Sequence, residues 1–166
     1  MMSKEWENKA IAVRWLEGFW GNAWNPKIVD ELAAPDILLQ FLLHRPRRGR
    51  EEVKKFMVGL REAFRDLEFH AASDLVAEGD YVVGQCEGGG THTGPTFIDF
   101  FVGFLPANSG RKMQLRGRTV LRMTNRTIAE EMTRLTWAPN LPNTCCQGNR
   151  ELGRSQPQLL SKVGTQ

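Results

Sequence analysis

Apolar positions in the first part of the chain recur at helical spacing. From about Ser3 to Gly21, Ala12, Trp15, Leu16 and Phe19 fall on one stripe, with Ser3 placed to cap the start and Glu5 and Glu7 in the first turn. Gly21-Asn22 breaks this helix. Asn25-Pro26 restarts a short one, a capping side chain followed by proline at the first helical position; it carries Ile28, Val29 and Leu32 and stops before Pro35. Ile37–Leu43 is a continuous apolar run of strand length, which periodicity alone does not separate from a buried helical turn. After a polar loop at His44–Gly49 comes the clearest helix, where Val53, Phe56, Met57, Leu60 and Phe64 fall at i, i+3, i+4, i+7 and i+11.

The period then switches from helical to alternating. Four strands are expected, at roughly Leu67–Val76, Tyr81–Glu87, Met113–Met123 and Ile128–Trp137. Glu78-Gly79-Asp80 and Thr124-Asn125-Arg126 are short enough to be hairpin turns. Helices first and antiparallel strands afterwards predict an α+β architecture. Residues 138–166 are rich in Asn, Gln, Gly, Pro and Ser, with only Leu159, Leu160 and Val163 to bury, and read as a poorly packed tail to a 1–137 domain.

Alternation also sorts side chains onto faces. Met113, Leu115, Thr119, Leu121 and Met123 share one side of their strand. On the last strand, Ala129, Glu131, Thr133, Leu135 and Trp137 form the more apolar side and Ile128, Glu130, Met132 and Arg134 the other. Glu131 is therefore a carboxylate on an apolar face. Such a group pairs with an arginine, reaches a pocket rim, or keeps its proton with a raised pKa, the state that general acid/base chemistry near neutral pH requires. Gly88-Gly89-Gly90 ends a strand and permits a bend or a close backbone approach, and His92 beside it is either a loop histidine or an imidazole presented to a ligand. Phe97, Phe100, Phe101 and Phe104 surround Asp99 in what reads as a loop, either a lid over an apolar ligand or a dimer contact.

Composition narrows the function. The 166 residues are 41% hydrophobic and 25% charged with a formal net charge of +3, an ordinary globular balance that calls for neither nucleic acid nor a membrane surface. The one basic run, Arg45, Arg47, Arg48 and Arg50 with Lys54 and Lys55, lacks interleaved aromatics and reads as a solvated loop and helix start. No stretch approaches the roughly 18 apolar residues of a membrane span, and the first residues lack the apolar core of a secretory signal. Cys86 stands alone and Cys145-Cys146 are adjacent, which disfavours a disulfide framework and fits a cytoplasmic protein. His44, His70 and His92 have no metal-ligand spacing, so no metal is expected.

Five stretches in order resemble the SnoaL-like polyketide cyclase family. They are Gly49–Phe56, Leu60–Leu67, Val76–Val83, Gly90–Gly94, and Val120-Leu121-Arg122 with Ile128–Glu131, spanning roughly residues 10 to 135. The resemblance implies the cone-shaped α+β fold shared with nuclear transport factor and ketosteroid isomerase, N-terminal helices packed on a curved, mainly antiparallel sheet. It implies a cofactor-free enzyme, a homodimer, acting on a small, largely apolar carbonyl compound. Its pocket would be lined by Trp15, Phe19, Trp24, Phe56, Leu60, Leu115, Thr119, Leu121 and Thr133. The family's acid on the last strand falls at Thr133 and its histidine partner at Thr119, and a threonine hydroxyl has no pKa suited to either role. Glu131 keeps the parity of Thr133 and is the substitute acid, with His92 or Asp99 assisting. The same departures leave open a second reading, a non-catalytic ligand-binding or dimerisation module on this fold.

Overall fold

The computed structural model describes residues 3–41, 45–100 and 103–136; the expected tail lies outside the described residues, as do His44, Phe101, Trp137 and the Cys145-Cys146 pair. Helix α1 spans Lys4–Trp15, and the Ser3 hydroxyl accepts from the Trp6 amide, as its position predicts. The helix does not continue to Gly21 in the same geometry. Leu16–Trp20 is a π turn, closed by the Gly21 amide donating to the Leu16 carbonyl five residues back at 2.8 Å. Glycine is required at its end, because a Cβ at Gly21 would come within 2.5 Å of the Glu17 carbonyl oxygen. Arg61 holds the turn shut by donating to the Phe19 and Gly21 carbonyls at 2.9 and 2.6 Å, groups left without helical partners.

Helix α2 spans Lys27–Leu32, with the Asn25 side chain accepting from the Lys27 amide. Helix α3 spans Arg50–Ala63 and buries the expected stripe of Val53, Phe56, Met57 and Leu60. Strand β1 runs Ala33–Phe41, starting earlier than the apolar run suggests because Pro35 is absorbed where the register slips between Ala33 and Leu38. Arg47–Arg48, expected as loop, form a short strand β2 against β1. The rest of the basic run is tied to its surroundings: Arg50 donates to the Ala33 carbonyl, and Lys54 pairs with Asp30 and Glu51.

The predicted Leu67–Val76 strand is two strands, β3 at Glu68–Ala71 and β4 at Val76–Glu78, both paired with β5. Strand β5 runs Tyr81–Thr91, through the glycines that were expected to end it. The chain stays extended there because the neighbouring strand lies too close for a side chain: a Cβ at Gly89 would collide with the Met113 carbonyl. The aromatic stretch expected as a loop is a two-stranded ribbon, β6 at Phe97–Phe100 and β7 at Gly103–Leu105. Strands β8, Lys112–Thr124, and β9, Thr127–Thr136, form the final hairpin. Asn125 and Arg126 both have positive φ in its two-residue turn, the conformation that matches the twist of the flanking strands.

The large sheet has the order β2-β1-β9-β8-β5-β3, with β4 also on β5, and only the β1–β9 pair is parallel. This is the expected α+β architecture with a mainly antiparallel sheet. Its inner face is covered by α1, the π turn and α3, and the core runs through Trp15, Phe19, Ile37, Leu39, Met57, Phe64 and Ile128. Ile128 corrects the simple alternation. It is fully buried alongside Glu131 although their parity differs, because Met123 pairs with Ile128 and Arg122 with Glu130, leaving Ala129 as an extra residue in a bulge.

Candidate functional site

Glu131 lies on β9 opposite Leu121 of β8 and Leu39 of β1, in the middle of the inner face, and is fully buried. Its partners among the described residues are not arginines. The Trp15 indole donates to Oε2 and the Trp20 indole to Oε1, each at 2.7 Å. Burial pushes the Glu131 pKa up to about 7, while the hydrogen bonds from the two indoles pull it back down by favouring the ionised form. A carboxylate offers roughly four lone-pair sites, so with two donors in place there is room for an incoming proton.

The π turn is what lets both indoles reach one carboxylate. In a regular α-helix residues five apart point about 140° away from each other. An i→i+5 turn stacks them along the axis instead, so Trp15 and Trp20 emerge on the same side. Phe19 stacks on Trp15 with ring centroids 4.3 Å apart, which fixes that indole.

Trp20 also closes the curve of the sheet. It stacks on Phe41 of β1 at 5.2 Å and meets Phe69 of β3 edge-on at 5.6 Å, bridging strands from opposite parts of the sheet. Beneath this bridge lies a cavity of about 10 Å³, lined by Leu16, Trp20, Phe41, Phe69, His70, Cys86, Thr119, Glu131 and Thr133. That is space for one water. The pocket that the resemblance implies is, beside Glu131, largely filled by aromatic side chains.

Among the residues nominated from sequence, the structure brings Trp15, Thr119, Leu121 and Thr133 to Glu131. Phe19, Phe56, Leu60 and Leu115 are buried in the core without lining this cavity, and half-buried Trp24 packs edge-on against Phe19 with the Arg61 guanidinium over its ring. His92 is not among the residues that line this cavity. It is fully buried with both ring nitrogens engaged, Nδ1 with the Ser109 hydroxyl at 2.8 Å and Nε2 with the Pro95 carbonyl at 2.9 Å, and it packs against Phe64. Those contacts staple the end of β5 to the turn before β8. Asp99 falls within β6, and its side chain lies outside the described residues. His70 reaches the cavity lining from β3, but its imidazole pairs with Glu87. Sequence reasoning placed Trp20 with the core or pocket lining but not as a donor to the acid, and it missed Phe41, Phe69 and Cys86 as its neighbours. An aromatic residue five positions after Trp15 was the available signal for Trp20, legible only once a π turn is admitted.

The profile of the SnoaL-like polyketide cyclase family matches residues 10–134. Among solved structures, a candidate SnoaL-like polyketide cyclase from Jannaschia sp. CCS1 is similar with a TM-score of 0.65 and 24% identity, over 81% of this chain and 90% of that one. TsrD from Streptomyces laurentii is similar with a TM-score of 0.62 and 19% identity, over 81% and 91%. A protein from Catenulispora acidiphila DSM 44928, described as having a ketosteroid isomerase-like fold and solved in complex with trimethylamine, reaches 0.58 and 17% over 75% and 83%. At these identities the likeness is one of fold. No curated protein matches this chain.

Proposed function

Because the chain belongs to the SnoaL-like polyketide cyclase family, we propose that it is an acid/base enzyme in which Glu131 moves a proton on a small, apolar, polyketide-like carbonyl compound. The observation that carries this reading is a fully buried carboxyl group with its pKa at about 7, held by two indole donors beside a cavity. At neutral pH such a group is divided between its two protonation states, the condition under which one residue serves in turn as base and as acid. The ionised carboxylate takes a proton from the carbon next to a carbonyl. The resulting enolate attacks a second carbonyl, or rearranges, and Glu131 returns the proton to the oxygen or carbon that gains the charge. Nothing is oxidised or reduced, and the cycle needs no cofactor.

Substrate reaches Glu131 by parting the Trp20, Phe41 and Phe69 bridge, since Phe41 is the half-buried aromatic member of the lining. Glu131→Gln keeps the shape and removes the proton. We expect it to lower turnover by at least about a hundredfold, the usual contribution of a positioned acid/base group, on any polyketide or ketosteroid substrate the protein accepts. Turnover within a few-fold of the parent would remove Glu131 from the mechanism.

A second reading, a non-catalytic module for ligand binding or dimerisation, is favoured by two observations. By the resemblance, the family's acid and its partner fall at Thr133 and Thr119, and the cavity has space for one water. Product formed from a carbonyl substrate panel counts against it. In either reading residues 1–137 form the working unit and 138–166 a tail, and the cysteine usage supports a cytoplasmic setting. No helix among the described residues is long and apolar enough to cross a membrane. We expect a homodimer, checked by sedimentation; a monomer at every accessible concentration refutes that part.

A further inference from the structure

Arg61 of α3 is half-buried, and its hydrogen bonds among the described residues all go to backbone carbonyls rather than to a carboxylate. Nη2 donates to Phe19 and Gly21 at 2.9 and 2.6 Å, and Nη1 donates to Leu67 at 3.2 Å. The Trp24 ring lies against the guanidinium at 5.4 Å. The first two carbonyls flank Trp20, the residue whose indole donates to Glu131 Oε1. Every link from Arg61 to the acid is thus a covalent bond or a nitrogen donating to an oxygen, so its direction is fixed. A π turn is a rare conformation, and carbonyls at a helix end need partners from elsewhere. Arg61 supplies them from a different helix.

We propose that Arg61 is a positioning residue for Glu131: it latches the π turn and so keeps the Trp20 indole on the carboxylate. A regular helical turn would swing position 20 round the axis, away from Trp15, and leave Oε1 without this donor. Arg61 is not among the residues that line the cavity, so it acts through Trp20 and not by meeting a substrate. Its charge makes bonds to carbonyls stronger than those of a neutral donor, and three carbonyls with one ring fix the planar fork in place. The latch therefore favours the basic state of Glu131 from outside the site.

The inference rests on Glu131 as the proton-handling group, but its readouts need no substrate. The first is the carbon-13 resonance of the Glu131 carboxyl carbon in the full chain, assigned by its loss in Glu131→Gln and followed from acid to alkaline pH. The other titratable groups lining the cavity, His70 of β3 and Cys86 of β5, stay unaltered in every variant. Arg61→Met keeps an unbranched stem and removes the donors. It should raise the midpoint by about one pH unit, the size of a lost hydrogen bond to a charged group. In a Trp20→Phe background the same change should move the midpoint by less than about half a unit, because the link is already cut. Gly21→Ala separates the latch from the charge of Arg61. It forces a Cβ to within 2.5 Å of the Glu17 carbonyl oxygen, pries the turn open with Arg61 in place, and should raise the midpoint too. The second readout is exchange of the Trp20 indole hydrogen with water at alkaline pH. It should quicken about tenfold or more in Arg61→Met, while the Trp15 indole, carried by the regular helix before the turn, changes far less. Loosening of the whole fold would quicken both indoles together, and that result overturns the latch. So does an unchanged or lowered midpoint in Arg61→Met, and so does an equal shift in the Trp20→Phe background, which would make Arg61 a charge acting through space. Should Arg61→Met fail to fold, Gly21→Ala carries the test: a raised midpoint with exchange quickened at Trp20 alone supports the latch, and any other result overturns it. Turnover that survives Glu131→Gln would retire the catalytic reading while leaving the latch in place.

Discussion

Between acid and alkaline pH, the parent protein should lose about 3 kcal/mol of unfolding free energy that Glu131→Gln does not lose. The Glu131 carboxyl group moves from its ordinary value of 4.5 in the unfolded chain to about 7 in the fold, driven by burial. A carboxyl whose pKa is raised binds its proton more tightly when folded. Its contribution is therefore fully present below about 4.5, erodes as pH rises, and is gone above about 7. Glu131 is completely buried, so solvent screening does not dilute the effect. Other groups contribute their own pH dependence to both proteins, and the difference between the two isolates residue 131. Urea unfolding at a series of pH values gives that difference directly. Parallel curves for the two proteins would show that Glu131 does not titrate in this range.

Removing one indole donor should be the most damaging conservative change near the site. Trp20→Phe keeps an aromatic ring between Phe41 and Phe69 but takes the hydrogen away from Oε1. A buried acceptor that loses its donor while charged costs about 1.5–3 kcal/mol, a loss expected at alkaline pH, where Glu131 is ionised. At acid pH the neutral group needs the donor less, and the cost shrinks toward the packing difference between the rings. Trp15→Phe should behave alike through Oε2, with an added loss from its stack on Phe19. Denaturant unfolding on both sides of neutrality separates the two contributions. A cost independent of pH would mean that the indoles act by packing alone.

The sequence revealed the elements better than the contacts. Ser3, Asn25 and the stripe of α3 act over a few neighbouring residues, and the structure places them as local rules predict. The inner face of β8 and the burial of Glu131 followed from alternation. Alternation failed at Ala129, because a bulge inserts a residue that no hydrophobic pattern marks, and Ile128 was assigned to the wrong face. It misjudged the glycines of β5 for a related reason. What they make room for is the backbone of β8, a neighbour distant in sequence. The site was half legible: an acid on an apolar face was visible, but not the π turn that delivers Trp20 to it. That turn depends on Arg61, some forty residues further along the chain, closing the carbonyls of Phe19 and Gly21. His92 looked available because it follows three glycines, yet long-range contacts with Ser109 and Phe64 bury it.

The account depends on a carboxyl group that titrates near neutrality inside the protein. The midpoint of the Glu131 carboxyl carbon in the unaltered chain reads this most directly. The account predicts a midpoint at about 7. A midpoint near the ordinary 4.5 would mean that the group is ionised throughout the neutral range, and the acid/base proposal would fail with it.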